Sequence, residues 1–343
     1  MKKLIIGYIP LSKDLTHPAD RRRIIFYAKM RGHKIETNLE NKHDVLVISE
    51  RANLIPFMRE IQTRPLILDL IDGYLSPANK GIDLIRGISK TLLGQFSYNY
   101  MPFRTVVEKV CYASDAVVCS TIEQKAVINS YNLNVHPILD SHSEFPDLKP
   151  KMISNTDLGQ LRYFWEGLPY TLTGFKGVKF RENDFINLFT DDRVKLILGK
   201  YVDVDTKKYI DKILNLSLPV HRIHPWNIQN VVKYAEISNL AIIPLNVDKQ
   251  MNKYKAENRL LIMWRLGLPA ITAASLAYKR VLEQIGAFGI AESLAFINNV
   301  IGNPKEFKDR LNDQVLSGKK YLSEFHQDDK LLEKWDKVIE SVI

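Results

Sequence analysis

Two side chains that could accept a proton stand just beyond apolar stretches of the sequence. Asp72 follows the run Leu66–Leu70, and His142 follows the run His136–Leu139. Ligands of parallel α/β sheets bind beyond the carboxyl ends of the strands, where a carboxylate or an imidazole can remove the proton of a hydroxyl group. Asp72 and His142 are therefore our candidate catalytic bases, and a loop cap is the alternative role of Asp72.

A concentration of charge marks the start of the first predicted helix, which begins near Pro18 or Asp20 and ends at Gly32. Its first turn carries three consecutive arginines, although a cation at a helix N-terminus is unfavourable by about 0.3–1 kcal/mol. We predict that an anion compensates, either an acceptor phosphate or a diphosphate. Arg21, Arg22 or Arg23 would contact this anion, and the predicted binding set comprises His17, Asp20, Arg21 and Arg22. The alternative is a solvated basic face that Asp20 caps.

Apolar runs of strand length alternate with helical stretches through both halves of the chain. The predicted strands are Leu4–Ile9, Val45–Ile48, Leu66–Leu70, Ala116–Cys119, His136–Leu139, Leu161–Trp165, Val194–Leu198, Val220–Ile223, Leu240–Pro244 and Ala270–Ala273. Continuous apolar strands between helices are typical of a parallel sheet covered on both faces. The sequence therefore predicts an α/β protein with two Rossmann-like, doubly wound domains.

The boundary between these domains is predicted in the polar, proline-containing stretch Pro146–Asn155. The domains would span residues 1–150 and 151–325, followed by a C-terminal helix within 326–343. Apolar residues from Leu331 to Val342 recur at helical spacing, which indicates an amphipathic helix. Such a helix could pack on the second domain or cross back to the first.

Composition restricts the classes of protein and partner. The 343 residues include 48 Lys and Arg against 39 Asp and Glu, and a net charge of +9 favours an anionic partner. No apolar run approaches the roughly 20 residues that span a bilayer. Two cysteines without metal spacing favour a reducing compartment. We expect a cytoplasmic protein, and no motif supports binding to nucleic acid.

One internal stretch could lie on a membrane. Within Ile85–Val110, basic residues such as Arg86 and Lys90 are interleaved with aromatic and aliphatic ones. That pattern suits a membrane surface or a lipid-linked acceptor, and equally suits an internal helix with basic flanks. Peripheral association with the inner face of the membrane is one of the two readings.

The segment 255–273, KAENRLLIMWRLGLPAITA, is the most informative in the chain. A helix beginning near Asn258 would end at Gly267, which suits the left-handed position after a helix. The segment resembles the "N-K/R, apolar helix, G-x-P" signature of GT-B glycosyltransferases of the group 1, or family 4-like, superfamily. The resemblance implies that the start of this helix faces a donor diphosphate, with Arg259 and Lys255 adding positive charge.

Further segments fit the same family in the same order. They are LILDLIDGY from Leu66, YASDAVVCST from Tyr112, LRYFWEG from Leu161, HRIHPW from His221 and SNLAIIPL from Ser238. The resemblance places Gly167 at the diphosphate and the loop around His224 and Trp226 beside the nucleotide base. It implies a donor-binding set of Gly167, His224, Trp226, Lys255, Asn258 and Arg259.

The resemblance also implies the activity, in which a sugar moves from a nucleotide-diphosphate sugar to a glycan or a lipid-linked acceptor in surface polysaccharide synthesis. Two such domains would face a cleft. Asp140, His142 and Glu144 alternate after Ile138-Leu139, so an extended continuation of that strand would place them on one face, as metal ligands or as the lining of the cleft. The resemblance implies no obligatory metal ion, so lining of the cleft is the favoured role. Asp203-Val-Asp205 is interpreted as a helix cap and not as a metal-binding D-x-D motif.

Two departures from the family pattern matter. Asn239 stands where the family has Asp, and Ile262 stands where retaining members have the second Glu of a pair. The stereochemistry is therefore left undetermined. The alternatives are a nucleotide-sugar epimerase on the same fold and a non-catalytic protein that binds a glycan or a nucleotide.

Overall fold

The computed structural model describes residues 2–58, 64–75, 80–97, 101–167, 174–175, 177–181, 185–190, 195–197, 200–202, 220–245, 250–291 and 293–343. The chain forms two compact units. Unit 1 comprises Met1–His142, Tyr254–Ala256 and His326–Ile343, and unit 2 comprises Ser143–Lys253 and Glu257–Phe325. Residues 203 and 205 of the proposed helix cap lie outside the described residues.

Unit 1 is built on a parallel sheet of six strands in the order β2-β1-β3-β4-β5-β6. Its strands are β1 (Ile5–Ile9), β2 (Lys34–Glu36), β3 (Val45–Ser49), β4 (Leu66–Leu70), β5 (Ala116–Cys119) and β6 (Val135–Pro137). Its helices are α1 (Pro18–Arg22), α2 (Ile24–Arg31), a 3-10 turn (Ile55–Met58), α3 (Lys80–Leu92), α4 (Phe103–Ala113) and α5 (Ile122–Ile128). Strands β3, β4 and β5 are buried along their whole length, as continuous apolar runs predict.

The first predicted helix is broken in two at Arg23. Its backbone angles there are φ −118° and ψ −108°, outside the helical region, and its side chain is completely buried. The guanidinium binds Asp69 through Nε and Nη2, at 2.9 and 2.6 Å, and donates to the carbonyl of Ile138 at 2.6 Å. Arg23 therefore belongs to the interior of unit 1 and not to an exposed basic face.

The C-terminal helix of unit 1, α12 (Asp328–Glu340), packs against α2. Trp335 is 1% exposed and stacks on Tyr27 with ring centroids 5.8 Å apart. Arg31 and Asp336 form an ion pair at the rim of this contact, 2.5 Å apart. The apolar face of this helix is therefore buried in the core of unit 1. This is the predicted alternative in which the C-terminal helix crosses back to the first domain.

Unit 2 holds the second parallel sheet of six strands, in the order β11-β8-β7-β12-β13-β14. Its described strands are β7 (Arg162–Gly167), β8 (Phe185–Thr190), β9 (Lys195–Ile197), β10 (Lys200–Val202), β11 (Val220–Pro225), β12 (Leu240–Ile243), β13 (Ala270–Ala273) and β14 (Ile290–Ala291). Its described helices are a 3-10 turn (Asp157–Gly159), α6 (Ile228–Ile237), α7 (Gln250–Lys253), α8 (Asn258–Arg265), α9 (Leu276–Gln284), α10 (Leu294–Gly302) and α11 (Pro304–Phe325).

One predicted strand forms outside the parallel sheet in which it was expected. Strand β9, within the predicted run Val194–Leu198, pairs antiparallel with β10 in a separate two-stranded sheet. Strand β8 instead stands between β11 and β7. A short apolar run predicts a strand but does not predict the strand with which it pairs.

Unit 1 ends earlier in the chain than the predicted boundary at residue 150. The stretch after His142 is hydrogen-bonded to unit 2, where Leu148 N donates to Arg265 O at 2.9 Å and Lys151 N donates to Gly267 O at 2.7 Å. Gly267 has φ +76°, and a Cβ there would lie 2.2 Å from the carbonyl oxygen of Lys149. The predicted linker is therefore an integral part of unit 2.

Among the described residues, no helix combines the length and the apolar character needed to cross a bilayer.

Candidate functional site

The carboxyl edge of the unit 2 sheet brings two predicted donor-binding residues together. Gly167 is the last residue of β7, and a Cβ built on it would lie 2.9 Å from Nη2 and 3.1 Å from Cζ of Arg259. The same Cβ would lie 2.8 Å from Cζ2 of Trp165. Because no side chain fits there, glycine at 167 allows the guanidinium to lie directly against the end of the strand.

Arg259 stands in the first turn of α8, which begins at Asn258 as predicted. Glu257 is the residue that precedes the helix, and its side chain makes no capping hydrogen bond. The first N–H groups of a helix lack intrahelical acceptors and carry partial positive charge. Together with the Arg259 guanidinium, they make this end of α8 suited to an anion.

A second arginine stands at the same helix start, and sequence reasoning missed it. Arg280, on α9, binds the buried carboxylate of Glu257 with Nη2 2.8 Å from Oε1. Tyr278 lies beside this group, where burial raises the pKa of its hydroxyl and the nearby charge of Arg259 opposes that rise. Glu257 adjoins the predicted helix start and could have been found from the sequence. Arg280 could be found only once the fold was known.

Trp226 lies at the same edge of the sheet as Gly167. Thr190 of β8 pairs with Gly167 of β7 on one side and with Pro225 of β11 on the other. Trp226 directly follows β11, and its Nε1 donates to Oε2 of Glu166 at 2.7 Å. The structure thus groups Gly167, Trp226 and Arg259, while the side chain of His224 lies outside the described residues.

Gly167→Ala is expected to disrupt this arrangement, because the added methyl group occupies the space of the guanidinium and of Trp165. Overpacking of this kind costs about 1–3 kcal/mol of stability. A diphosphate at the predicted donor site should also be held more weakly, since Arg259 must move. Chemical unfolding and calorimetric titration with a nucleoside diphosphate measure the two effects. The matched control is Gly159→Ala, because a Cβ there meets no atom within 4 Å.

In unit 1, the predicted base Asp72 is held in an ion pair. Its Oδ1 lies 2.5 Å from Nζ of Lys255, and its side chain is 26% exposed. Burial alone would raise the pKa of Asp72, but the ammonium group outweighs it, and the pKa lies below its usual range. Lys255, predicted at the donor site, thus belongs to unit 1, where it keeps Asp72 ionised.

Glu50 stands beside Asp72 and was missed in the sequence. Its Oε2 accepts hydrogen bonds from the backbone N–H groups of Ile71 and Asp72, both at 3.0 Å. Burial, followed by the charge of Asp72, raises the pKa of Glu50 to about 7. Glu50 follows β3 closely, as Asp72 follows β4, so the rule that found Asp72 could have found Glu50.

The residues predicted to bind a phosphate form hydrogen bonds with backbone groups of unit 1. Nδ1 of His17 accepts from the N–H of Ala19 at 3.2 Å, and burial, followed by the charge of Arg51, lowers the pKa of His17 to about 4. This imidazole is therefore neutral at pH 7. Nε of Arg21 donates to Thr16 O at 3.0 Å, and the carbonyl of Arg22 accepts from Ser141 N at 2.8 Å.

Asp20 has a structural position, contrary to the predicted contact with a phosphate. It is completely buried, and its Oδ1 accepts from the hydroxyl of Tyr8 at 2.5 Å and from the N–H of Leu11 at 2.8 Å. Its Oδ2 accepts from the N–H and the hydroxyl of Ser12, both at 3.0 Å. The carboxylate organises the loop after β1 and does not face a ligand.

His142 is likewise buried inside unit 1. Its side chain is 0% exposed, and its ring lies 4.5 Å from that of His326. Strand β6 ends at Pro137, so Asp140 and His142 do not continue an extended strand as the alternation required. Of the two predicted bases, only Asp72 is accessible from outside the core of unit 1.

Within the described part of the chain, no three His, Cys, Asp or Glu side chains are arranged to hold a metal ion.

Comparison with known proteins identifies the fold. No protein-family model matches the chain, and no curated protein matches it. Among solved structures, HepE from Anabaena in complex with UDP-glucose matches with a TM-score of 0.63 and 11% identity, over 98% of this chain and 100% of that one. WaaG, a glycosyltransferase involved in lipopolysaccharide biosynthesis, matches with a TM-score of 0.56 and 12% identity, over 98% and 99%.

A glycosyltransferase from Rickettsia africae matches with a TM-score of 0.54 and 10% identity, over 99% of this chain and 98% of that one. The two parallel six-stranded sheets and these matches show that the chain has the GT-B fold of glycosyltransferases. The predicted fold class is therefore confirmed.

Proposed function

We propose that the protein is a glycosyltransferase that uses a nucleotide-diphosphate sugar as donor. The observation that carries this proposal is the guanidinium of Arg259 lying against Gly167, beside the start of α8. A diphosphate offers the negative charge and the acceptor oxygens that such a group binds. HepE, which has the same fold, was solved with UDP-glucose and with UDP and glucose.

The donor would lie along the carboxyl edge of the unit 2 sheet. Gly167, Asn258 and Arg259 would hold the diphosphate, and His224 and Trp226 would lie beside the base. As the bond to the sugar breaks, negative charge grows on the diphosphate, and Arg259 with the helix start would neutralise it. We propose that transfer needs no metal cofactor, since these groups supply the positive charge.

Unit 1 would hold the acceptor, which we propose to be a glycan or a lipid-linked sugar of surface polysaccharide synthesis, receiving a hexose. Helix α3 supports the lipid-linked alternative, because Leu84, Ile85, Ile88 and Leu92 are exposed along it. Apolar side chains on a helix with basic residues can rest on an anionic membrane surface. We propose a cytoplasmic protein that can associate with the inner face of the membrane.

A thermal-shift screen of nucleotide sugars, followed by an assay of nucleoside diphosphate release, tests the proposed function. A donor is expected to raise the midpoint of unfolding by mass action and to release its nucleoside diphosphate when an acceptor is added. Isomerisation of the sugar without release would instead identify an epimerase. Binding without either reaction, with every acceptor tried, would identify a binding protein.

A further inference from the structure

The carboxylate of Glu50 occupies a position in unit 1 that the proposed function has not used. We propose that Glu50 takes up the proton of the acceptor hydroxyl, while Asp72 stays ionised as the partner of Lys255. This inference rests on the proposed function and adds the group that the transfer step needs. It replaces both Asp72 and His142 as the proton acceptor.

The backbone fixes Glu50 at the carboxyl edge of the sheet. Strands β3 and β4 are neighbours, and Ser49 pairs with Asp69 at their ends. Glu50 follows Ser49, and its Oε2 accepts from the N–H groups of Ile71 and Asp72. One oxygen is thus anchored to the loop after β4. Glu50 is 4% exposed, and in the described part of the chain both of its hydrogen bonds end on Oε2, so Oε1 is the oxygen that a substrate hydroxyl would meet.

The charges around Glu50 differ from those around Asp72. The ionisable groups that face Glu50 are Arg51 on its own loop, Asp72 and Tyr74 after β4, Lys90 on α3, and Lys255. Asp72 forms a direct ion pair with an ammonium group at 2.5 Å, whereas Glu50 is bound by neutral backbone donors. The ion pair makes Asp72 a poor proton acceptor, and burial makes Glu50 a better one.

Lys90, a half-buried residue of α3, lies against aromatic rings. Its ammonium group lies 4.5 Å from the ring centroid of Phe103 and 5.1 Å from that of Phe96. Burial lowers the pKa of Lys90 to about 8, and the charge of Glu50 opposes that change. A carboxylate in such surroundings gains more from accepting a proton than one in water does.

The acceptor oxygen forms a bond to the anomeric carbon of the donor sugar, and the bond from that carbon to the diphosphate oxygen breaks with its electron pair on the diphosphate. The proton of the acceptor hydroxyl moves to Oε1 of Glu50. The products are the glycoside, the nucleoside diphosphate and a neutral Glu50, which returns the proton to solvent.

Glu50→Gln tests the proposal, because the amide oxygen can still accept the two backbone hydrogen bonds. With UDP-glucose as the probe and water as the acceptor, we expect the rate of UDP release by this variant to fall by about 10²–10⁴-fold, the usual contribution of a general base. KM for UDP-glucose and the affinity for UDP should not change. The limb of the pH–rate profile near pH 7 should disappear. Glu40→Gln, an exposed carboxylate of unit 1, is the matched control.

Asp72→Asn should keep this limb but move it below pH 7, because the charge of Asp72 raises the pKa of Glu50 and the charge of Lys255 lowers it. Its rate should also fall, as Lys255 loses its partner. Glu50→Gln with the wild-type rate, or with the limb intact, would overturn the proposal. Failure of wild type and variants alike to release a nucleoside diphosphate from any nucleotide sugar would instead overturn the proposed function, and the step assigned to Glu50 with it.

Stability provides a second measurement that does not depend on turnover. The pKa of Glu50 is raised from 4.5 to about 7 by folding, so its contribution to stability is complete below pH 4.5 and is lost as the pH rises through 7. Glu50→Gln removes that loss. The midpoint of unfolding of the variant, relative to wild type, should therefore be higher at pH 8 than at pH 5. A difference that does not change with pH would contradict the titration on which the step depends.

Discussion

Arg259→Ala is expected to lower kcat/KM for the nucleotide sugar by about 10²–10³-fold, with most of the loss in kcat. The guanidinium lies against Gly167 at the start of α8, where the proposed diphosphate gains negative charge as the sugar leaves. Removing an interaction that strengthens in the transition state lowers mainly kcat. Affinity for free UDP should also fall, because the diphosphate is the group that Arg259 would bind.

Arg259→Lys separates charge from geometry. Lysine keeps a positive charge but lacks the planar fork that binds a phosphate with two hydrogen bonds, so an intermediate rate is expected. Steady-state assays and calorimetric titration with UDP measure both quantities. Lys279→Ala is the control, because it removes an exposed cation of unit 2 that forms only a 3.8 Å pair with Glu283. Equal UDP affinity and rate in Arg259→Ala and wild type would disprove the assignment of the donor site.

The elements of the proposed donor side could be predicted because their signals are local in sequence. Glycine at 167 ends a strand, and Asn258 and Arg259 begin a helix that ends at Arg265, two residues before Gly267, so short stretches define both elements. The carboxyl ends of parallel strands share one edge, which brought Gly167 and Trp226 together without knowledge of side-chain contacts. The positions of these residues in the fold follow from periodicity, end signals and the direction of the strands, whereas their proposed role in binding a donor comes from the family resemblance.

The proposed acceptor side, in unit 1, depends on contacts between residues distant in sequence. Lys255 lies three residues before Asn258, yet it pairs with Asp72, which is 183 positions away. Sequence position suggested a donor-binding lysine, and tertiary packing gave it another partner. His142 was misjudged for a related reason, because the alternation that would have exposed it required a strand longer than β6.

Arg23→Ala is expected to destabilise unit 1 by about 3–5 kcal/mol, the usual cost of leaving a buried charge without its partner. The side chain of Arg23 is 0% exposed and that of Asp69 is 2% exposed, so neither charge can turn to solvent. Asp140 loses a neighbour as well, since its Oδ1 lies 3.3 Å from Nη1 of Arg23. The free energy of unfolding from urea denaturation measures the effect.

The pH dependence of this variant distinguishes lost charge from lost packing. Burial raises the pKa of Asp140, and the charge of Arg23 opposes that rise. Without Arg23 the pKa of Asp140 should rise further above its value in the unfolded chain, so the variant should lose more stability at pH 8 than at pH 5. Arg31→Ala is the matched control, because its pair with Asp336 is one-third exposed on the arginine side and should contribute about 1 kcal/mol or less. If Arg23→Ala and Arg31→Ala were equally stable, the buried guanidinium would not hold the sheet of unit 1 together, and the break between α1 and α2 at Arg23 would need another cause.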